Sequence, residues 1–342
     1  MAGTGSGSLP RYIAQRVLLV IPMIWVILTL VFVVLRVAPG DPISAAVGGK
    51  LDADALAQRR EALGLNRPMI AQYWDYLSSV AHLDFGTTFS DNQPVLRVIR
   101  DNGGATLSLT MAAFAIALLV GIPLGLVAGR YRDSIGDVVI RLFGILTYAA
   151  PIFFVGFLLQ VYVAQPLGLP TGGASSPMTA FLVTPRTHIL LIDVFLSGNS
   201  DAILDVLKHL LLPAVTLGLL ICGVFIRLVR VNILQTMQAD YVEAAEARGI
   251  SRGKVTRHHA LRNALVPVVT VIGLQFAMLL GGAVLTESTF NWPGLGQKLV
   301  DYINERDYGA VQGIVTIFAI AVVVVSVVVD VVNALIDPRV RY

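Results

Sequence analysis

An all-α protein that crosses a membrane several times is predicted by three observations on this 342-residue chain. It is 56% apolar and only 14% charged, with a mean hydropathy of +0.75, against about 25% charged residues in ordinary soluble domains. Its apolar residues fall into six runs of spanning length, at 17–35, 105–129, 142–164, 210–229, 264–286 and 313–336. Only the fourth and sixth runs contain ionisable groups, Arg227 and Asp330, and each sits near one end of its run, from where a long arginine stem can reach the interface.

The first run, 17–35, exceeds the h-region of a signal peptide and has no small-x-small cleavage site after it, so it reads as a retained span behind a Gly/Ser-rich tail at 1–9. The basic residues set the orientation. Arg11, Arg16, Arg130, Arg132, Arg141, Arg227, Arg230, Arg248, Arg252, Lys254, Arg257, Arg262, Arg339 and Arg341 fall on one side. The two short loops on the other hold Arg186, Lys208, Lys298 and Arg306. The positive-inside rule then puts both termini in the cytoplasm. Pro22, Pro123, Pro151, Pro213 and Pro267 lie within the runs among many glycines, which predicts bent, closely packed helices. The single cysteine, Cys222, excludes an intrachain disulfide and reads as a packing residue.

The organisation that follows is a tail at 1–9, a first span at 10–37, an external helical segment at 38–104 and a five-helix core at 105–342. Within 38–104, Pro39-Gly40-Asp41-Pro42 ends the first span. A short helix is expected up to Gly64, a second from Pro68 to about Ala81, and a third over 94–101 lying along the surface. Tyr73, Trp74 and Tyr76 read as interfacial aromatics. The loop 165–209, with Pro166, Pro170, Pro177 and Pro185, carries an apolar patch at 189–196 that is too short to span. Outer segments this elaborate suit a soluble partner.

The stretch 240–267, DYVEAAEARGISRGKVTRHHALRNALVP, carries most of the functional information. Asp240 and Glu243 have the spacing of a capping box, which starts a short helix through Arg248. Gly249 suits a left-handed helix end, with Ile250 making the accompanying apolar contact. Ser251 then caps a basic helix that runs into the fifth span. Ala244 and Ala245 favour the helix and add almost no bulk. Such a helix can dock in a groove of another protein and pass on its motion.

Here the chain resembles the EAA loop of bacterial ABC importer permeases, through Glu243-Ala244-Ala245, Gly249 and Leu265-Val266-Pro267. It resembles more narrowly the dipeptide/oligopeptide/nickel permease family, through Leu63-Gly64-Leu65-Asn66-Arg67-Pro68, Gly121-Ile122-Pro123-Leu124-Gly125, Thr286-Glu287-Ser288-Thr289-Phe290, Trp292-Pro293-Gly294-Leu295-Gly296, Arg306-Asp307-Tyr308 and Asp337-Pro338-Arg339. Asn102-Gly103-Gly104 stands where many relatives have a proline, and the loop 165–209 is longer than usual. The resemblance implies a six-span permease in the bacterial cytoplasmic membrane, importing dipeptides or oligopeptides, or else nickel chelates. It implies a coupling loop at 230–263, with Asp240, Tyr241, Val242, Glu243, Ala244, Ala245, Arg248, Gly249 and Ile250 seated on an ATPase. The implied partners are a second homologous permease, two cytoplasmic ABC ATPases that bind ATP and magnesium, an extracytoplasmic substrate-binding protein and membrane lipid, with no nucleic acid.

The chain itself offers no cofactor or catalytic site. A phosphate-binding loop needs G-x-x-x-x-G-K-[S/T]. The nearest stretch, Gly249-Ile250-Ser251-Arg252-Gly253-Lys254-Val255, is one residue short and ends in a side chain that cannot ligate magnesium. His258 and His259 are adjacent on a helix and diverge by about 100°, so they cannot chelate one metal. The alternative of an ion-coupled carrier acting alone calls for ionisable groups deep in the spans, which are scarce here. No Ser/His/Asp or metal set at membrane depth supports a membrane enzyme. Gln160 and Gln275 either face a pathway or bond between helices. Glu287, at the end of the fifth run, is either a gate or packing residue or part of a solvated loop. Asp330 and Asn333 suit bonds between helices.

Overall fold

The computed structural model describes residues 9–37, 53–62, 64–255 and 261–336. The tail at 1–8, Pro39-Gly40-Asp41-Pro42, His258, His259 and Asp337-Pro338-Arg339 lie outside them. The described residues form helices α1 (Leu9–Val37), α2 (Ala53–Ala62), α3 (Met69–Ala81), α4 (Val95–Arg130), α5 (Ile135–Ala149), α6 (Ile152–Leu159), α7 (Pro177–Leu182), α8 (Leu190–Leu196), α9 (Ser200–Thr236), α10 (Asp240–Ala247), α11 (Arg252–Val255), α12 (Leu261–Phe290), α13 (Leu295–Asn304) and α14 (Tyr308–Ile336). Five are long and apolar enough to cross a membrane, and the pair α5–α6 makes a sixth if counted as one broken span.

Helix α9 is the hub of the bundle. Two-thirds of its apolar window, 67%, is buried by the chain itself, against 11% for α1. Glycines let its neighbours reach it. A Cβ added at Gly121, Gly125 or Gly129 of α4 would lie 2.8 Å from Phe225 Cβ, 2.7 Å from the Ile226 carbonyl oxygen and 2.9 Å from Ile233 Cγ2. One added at Gly223 of α9 would lie 2.2 Å from the carbonyl oxygen of Gly144 on α5. These are close helix approaches of the kind small residues permit in membranes, at Gly125 and Gly223 directly to the facing backbone. Cys222, 1% exposed, packs in the same seam.

The third run breaks rather than bends. The axes of α5 and of the stretch Ile152–Leu167 meet at 109°. Pro151 has no N–H to continue the ladder, and it holds Ala150 extended, at φ −75° and ψ 134°. Pro22, Pro123, Pro213 and Pro267 stay inside continuous helices. After the break the chain includes a π-turn at Gln160–Ala164.

The expected surface helix over 94–101 does not exist as a separate element. Its residues are the first turns of α4, which runs through Asn102-Gly103-Gly104 without interruption. The glycines serve packing instead: a Cβ on Gly104 would fall 1.6 Å from the His188 carbonyl oxygen. Two of the three expected interfacial aromatics also pack inward. Tyr73 OH lies 2.6 Å from Thr29 Oγ1 and Tyr76 OH 2.7 Å from Thr316 Oγ1, with both rings against Phe32. Trp74 stays exposed. Helix α1 joins α14 through the Arg16–Asp330 ion pair at 3.0 Å. The Asn333 side chain lies outside the description.

In the 165–209 loop the apolar patch folds as α8, pinned by the buried Asp193. Its Oδ1 accepts from the Thr187 N–H at 2.7 Å and from the Thr187 hydroxyl at 2.8 Å. Burial alone would raise the pKa of this carboxyl, but those bonds, together with the backbone of Arg186 and His188, outweigh it and hold the pKa below the ordinary 3.8. The charged form is the bonded form, so the stabilisation is complete above 3.8 and is lost as pH falls through the lower folded value. Hydrogen exchange of the 187–193 backbone, corrected for intrinsic rate, is expected to stay flat from about pH 7 to about pH 5. It should rise only in stronger acid, whereas Asp193→Asn should raise it throughout. Equal protection in the variant and the parent at neutral pH would contradict this.

Candidate functional site

Helices α10 and α11 form one end of the bundle, and α13 belongs to the other. Helix α9 ends at Thr236, and a short turn leads into α10, where the Ala239 carbonyl accepts from the Val242 N–H at 2.8 Å and the Glu243 N–H at 3.4 Å. Asp240 therefore sits one residue inside the helix rather than at its cap. It still places a negative charge in the first turn, as Glu243 does, where the helix dipole favours it. At the other end Gly249 adopts φ +76°, and the Ile250 N–H reaches back to the Ala245 carbonyl at 3.2 Å, closing a left-handed cap of the expected kind.

The helix is two-faced. Val242, 2% exposed, and Val255 of α11, 0% exposed, turn inward, with Ile250 half-buried beside them. Tyr241, Ala244 and Arg248, at i, i+3 and i+7, share an open face; Glu243 and Gly249 are exposed elsewhere around the helix and its end, and Ala245 is partly so. By that spacing the small Ala244 leaves a low point, a notch, one turn from both Tyr241 and Arg248. A complementary protein surface can enter such a notch. The short connection to α9 makes α10 a handle on the most buried helix.

Behind this end lies a polar lock with no direct signal in the sequence. Arg230 of α9 donates from Nε and Nη2 to the two carboxylate oxygens of Asp137 on α5, at 2.7 and 2.8 Å. Asp137 also accepts from the Asp133 N–H at 3.0 Å and has Arg141 at 3.5 Å, and its side chain is fully buried. The fork-on-fork geometry is what an arginine–carboxylate pair needs to offset the loss of water. The only hint in the sequence was the Ser134-x-x-Asp137 spacing of a helix start; Ser134 does cap α5, accepting from the Asp137 N–H at 3.2 Å.

The opposite end has a second lock, built from Thr286–Phe290 and 292–296. The Glu287 carboxylate accepts from the Gly296 and Gln297 N–H groups at 2.7 and 3.0 Å, so it caps α13. It is neither a solvated loop residue nor open to a passage, because α12 continues to Phe290 and Glu287 is 0% exposed. A Cβ on Gly294 would lie 2.2 Å from Glu287 Cδ, which explains the small residue there. The Trp292 indole donates to the Ala105 carbonyl at 2.9 Å, and the Leu295 N–H donates to the Thr106 hydroxyl at 2.8 Å. Nearby, Asp307 accepts from the Phe89 and Ser90 N–H groups at 2.5 and 2.8 Å, drawing the segment before α4 onto the start of α14. Burial, reinforced by Asp91 and Asp307, pushes the Tyr302 phenol up to about 12.

The remaining expected pathway residues are not brought together. Gln160 donates to the carbonyls of Thr171 and Thr289, at 2.9 and 3.1 Å, tying the π-turn to the end of α12. Gln275 is buried deeper in α12, and its Oε1 meets no donor among the described residues. Neither lines the cavity of about 610 Å³ between α5 and α9, whose walls include Arg141, Tyr148, Arg227 and Arg230.

A bundle of spanning helices with one broken span, a cavity along it and an exposed helix on its central member defines a membrane transport permease. The chain belongs to the family of binding-protein-dependent transport system inner membrane components, the permeases of ABC importers: that family's model matches residues 121–342, and the model for the family's N-terminal part matches 9–110. It is 38% identical to the dipeptide transport system permease protein of Escherichia coli strain K12, covering 97% of this chain and 99% of that one. It is 37% identical to the di/tripeptide transport system permease protein of Pseudomonas aeruginosa, over 97% and 98% of the two chains. It is 35% identical to the glutathione transport system permease protein of Salmonella typhi, over 97% and 99%. Among solved structures, an inward-facing form of the MetNI methionine ABC transporter shares the fold, with a TM-score of 0.54 at 14% identity over 70% of this chain and 96% of that one. The all-α polytopic fold and the permease family read from the sequence are both correct.

The Asp137–Arg230 lock yields a thermodynamic cycle. Removing one partner of a buried ion pair strands the other charge, at about 3–5 kcal/mol. Asp137→Asn and Arg230→Gln should each markedly lower the midpoint of thermal unfolding in detergent, and the double variant should lose far less than the sum. Strict additivity would show that the two groups do not act as a pair.

Proposed function

We propose that this chain is a membrane-spanning subunit of an ABC importer that carries dipeptides and other short peptides into the cell. The observation that carries this reading is the exposed small-residue face of α10, joined by a short turn to the buried hub α9. The names of the relatives, which specify dipeptides, di/tripeptides and glutathione, support peptide cargo over nickel chelates. On this reading the α10 end and both termini face the cytoplasm, in agreement with the arginine-rich side. Asp240, Tyr241, Val242, Glu243, Ala244, Ala245, Arg248, Gly249 and Ile250 form the coupling helix. Tyr241 and Arg248 flank the point of contact, Ala244 leaves the space, and Gly249 and Ile250 close the end of the helix.

The complex comprises a second homologous permease, two ATPases that hold ATP and magnesium, and a substrate-binding protein outside. Closure of the ATPases pulls α10 and, through it, α9. Helix α5 meets α9 at Gly144 and Gly223, less than two turns before the α5–α6 break, so the displacement reaches the broken span directly. A self-driven ion-coupled carrier has less support: the buried carboxylates of Asp137, Glu287 and Asp307 are engaged by arginine or by backbone N–H groups.

The test is ATP-driven peptide uptake by the reconstituted complex. Ala244→Trp fills the notch, and Gly249→Val forces a branched residue to φ +76°, at about 1–2 kcal/mol. Both should abolish uptake while the chain still assembles in the membrane, and Ala244→Trp should release or uncouple the ATPases. Uptake at the parental rate by Ala244→Trp would overturn the coupling assignment.

A further inference from the structure

The cavity between α5 and α9 has an unbalanced charge. Its volume of about 610 Å³ lies within the range of small-molecule sites, roughly 300–1,000 Å³. It extends from Tyr148 and Ala149, beside the α5–α6 break, to Arg141 and Arg230 toward the α10 end, with Ile145 and Val224 among its apolar walls. Among the described residues Asp137 is the one carboxylate bonded to these arginines, and both of its oxygens are taken by Arg230, with Arg141 close by. Arg227, one turn before Arg230 on α9, also lines the cavity and is exposed, and among the described residues no acidic group or hydrogen-bond partner engages it. A guanidinium on an apolar wall, not engaged by any carboxylate among the described residues, presents a planar fork to an incoming carboxylate.

We propose that Arg227 receives the C-terminal carboxylate of the transported peptide within this cavity, as a specificity-determining residue of the permease itself. This rests on the reading of the cargo as short peptides. The cavity adjoins the break in the span, so a peptide moving past the break meets Arg227 before it meets the neutralised Arg230–Asp137 pair. The apolar walls accept either side chain of a dipeptide, which leaves the carboxylate as the common feature to be held. Asp137 cannot take the peptide ammonium, because its oxygens are already spent.

The test uses the complete transporter in proteoliposomes, with dialanine and its C-terminal amide supplied as saturating loaded binding protein, so that the binding protein's own preference cancels. A charge-assisted hydrogen bond predicts that Arg227→Gln lowers the turnover of dialanine at least about tenfold. Arg227→Lys should restore part of it. The amide, slower in the parent, should be slowed no further by Arg227→Gln, and none of these ratios should depend on anionic lipid. Turnover of dialanine by Arg227→Gln at the parental rate would overturn the proposal. So would equal fold-losses for dialanine and the amide, which would assign Arg227 a structural role. A loss confined to vesicles containing anionic lipid would assign the cavity to lipid headgroups instead. If the parental complex carries neither cargo, the peptide reading itself fails, a result distinct from any specific to the variant.

Discussion

The architecture depends on how closely other helices approach α9. In hydrocarbon no hydrophobic force pulls apolar helices together, so their association relies on contact area and on the few polar bonds available. Gly121, Gly125 and Gly129 line one groove for α9, and Gly144 and Gly223 form a second contact in which backbone meets backbone. A methyl group at Gly121, Gly125, Gly129 or Gly223 would crowd the facing helix; overpacking of this kind costs about 1–3 kcal/mol. Such contacts are rigid in the sense that matters here. A helix held on two sides by backbone contact moves with its neighbours.

On this scaffold the two polar locks have complementary positions. Asp137–Arg230 ties α5 to α9 at the end that carries α10. Glu287, Trp292 and Thr106 tie α12, α13 and α4 at the other. Each engages its carboxylate in bonds that would be lost if the helices separated. Between the locks, the break at Pro151 leaves the third span mechanically divided. On the proposed coupling, a displacement entering through α10 arrives at the α5–α6 corner with α9 and α5 moving together, and the corner is where the geometry can change. The cavity with Arg227 opens along this same seam.

Much of this was legible in the residues, and what was not has a physical reason. Runs of apolar residues marked the spans because the bilayer sets a length. Gly249 and Ile250 marked the end of α10 because only a left-handed residue followed by an apolar contact closes a helix that way. The continuity of α4 was hidden because Gly103 and Gly104 resemble a breaker, whereas they are small for the sake of His188, far off in the chain. Asp137 was invisible as a site because its partner, Arg230, lies on another span and reads only as one more basic residue on the positive side. Glu287 looked like a boundary residue because hydropathy falls there, yet the helix continues and buries it. Local pattern reports local structure; pairings across the bundle need the fold.

The central claim is that the Ala244 face of α10 is occupied by another protein in the working assembly. Cys222 is the sole cysteine and is buried, so Ala244→Cys introduces the one accessible thiol. The most direct measurement is its alkylation rate by a water-soluble maleimide in the isolated chain and in the complete complex. Rapid labelling alone and strong protection in the complex is the predicted result. Equal rates in the two preparations would contradict the account.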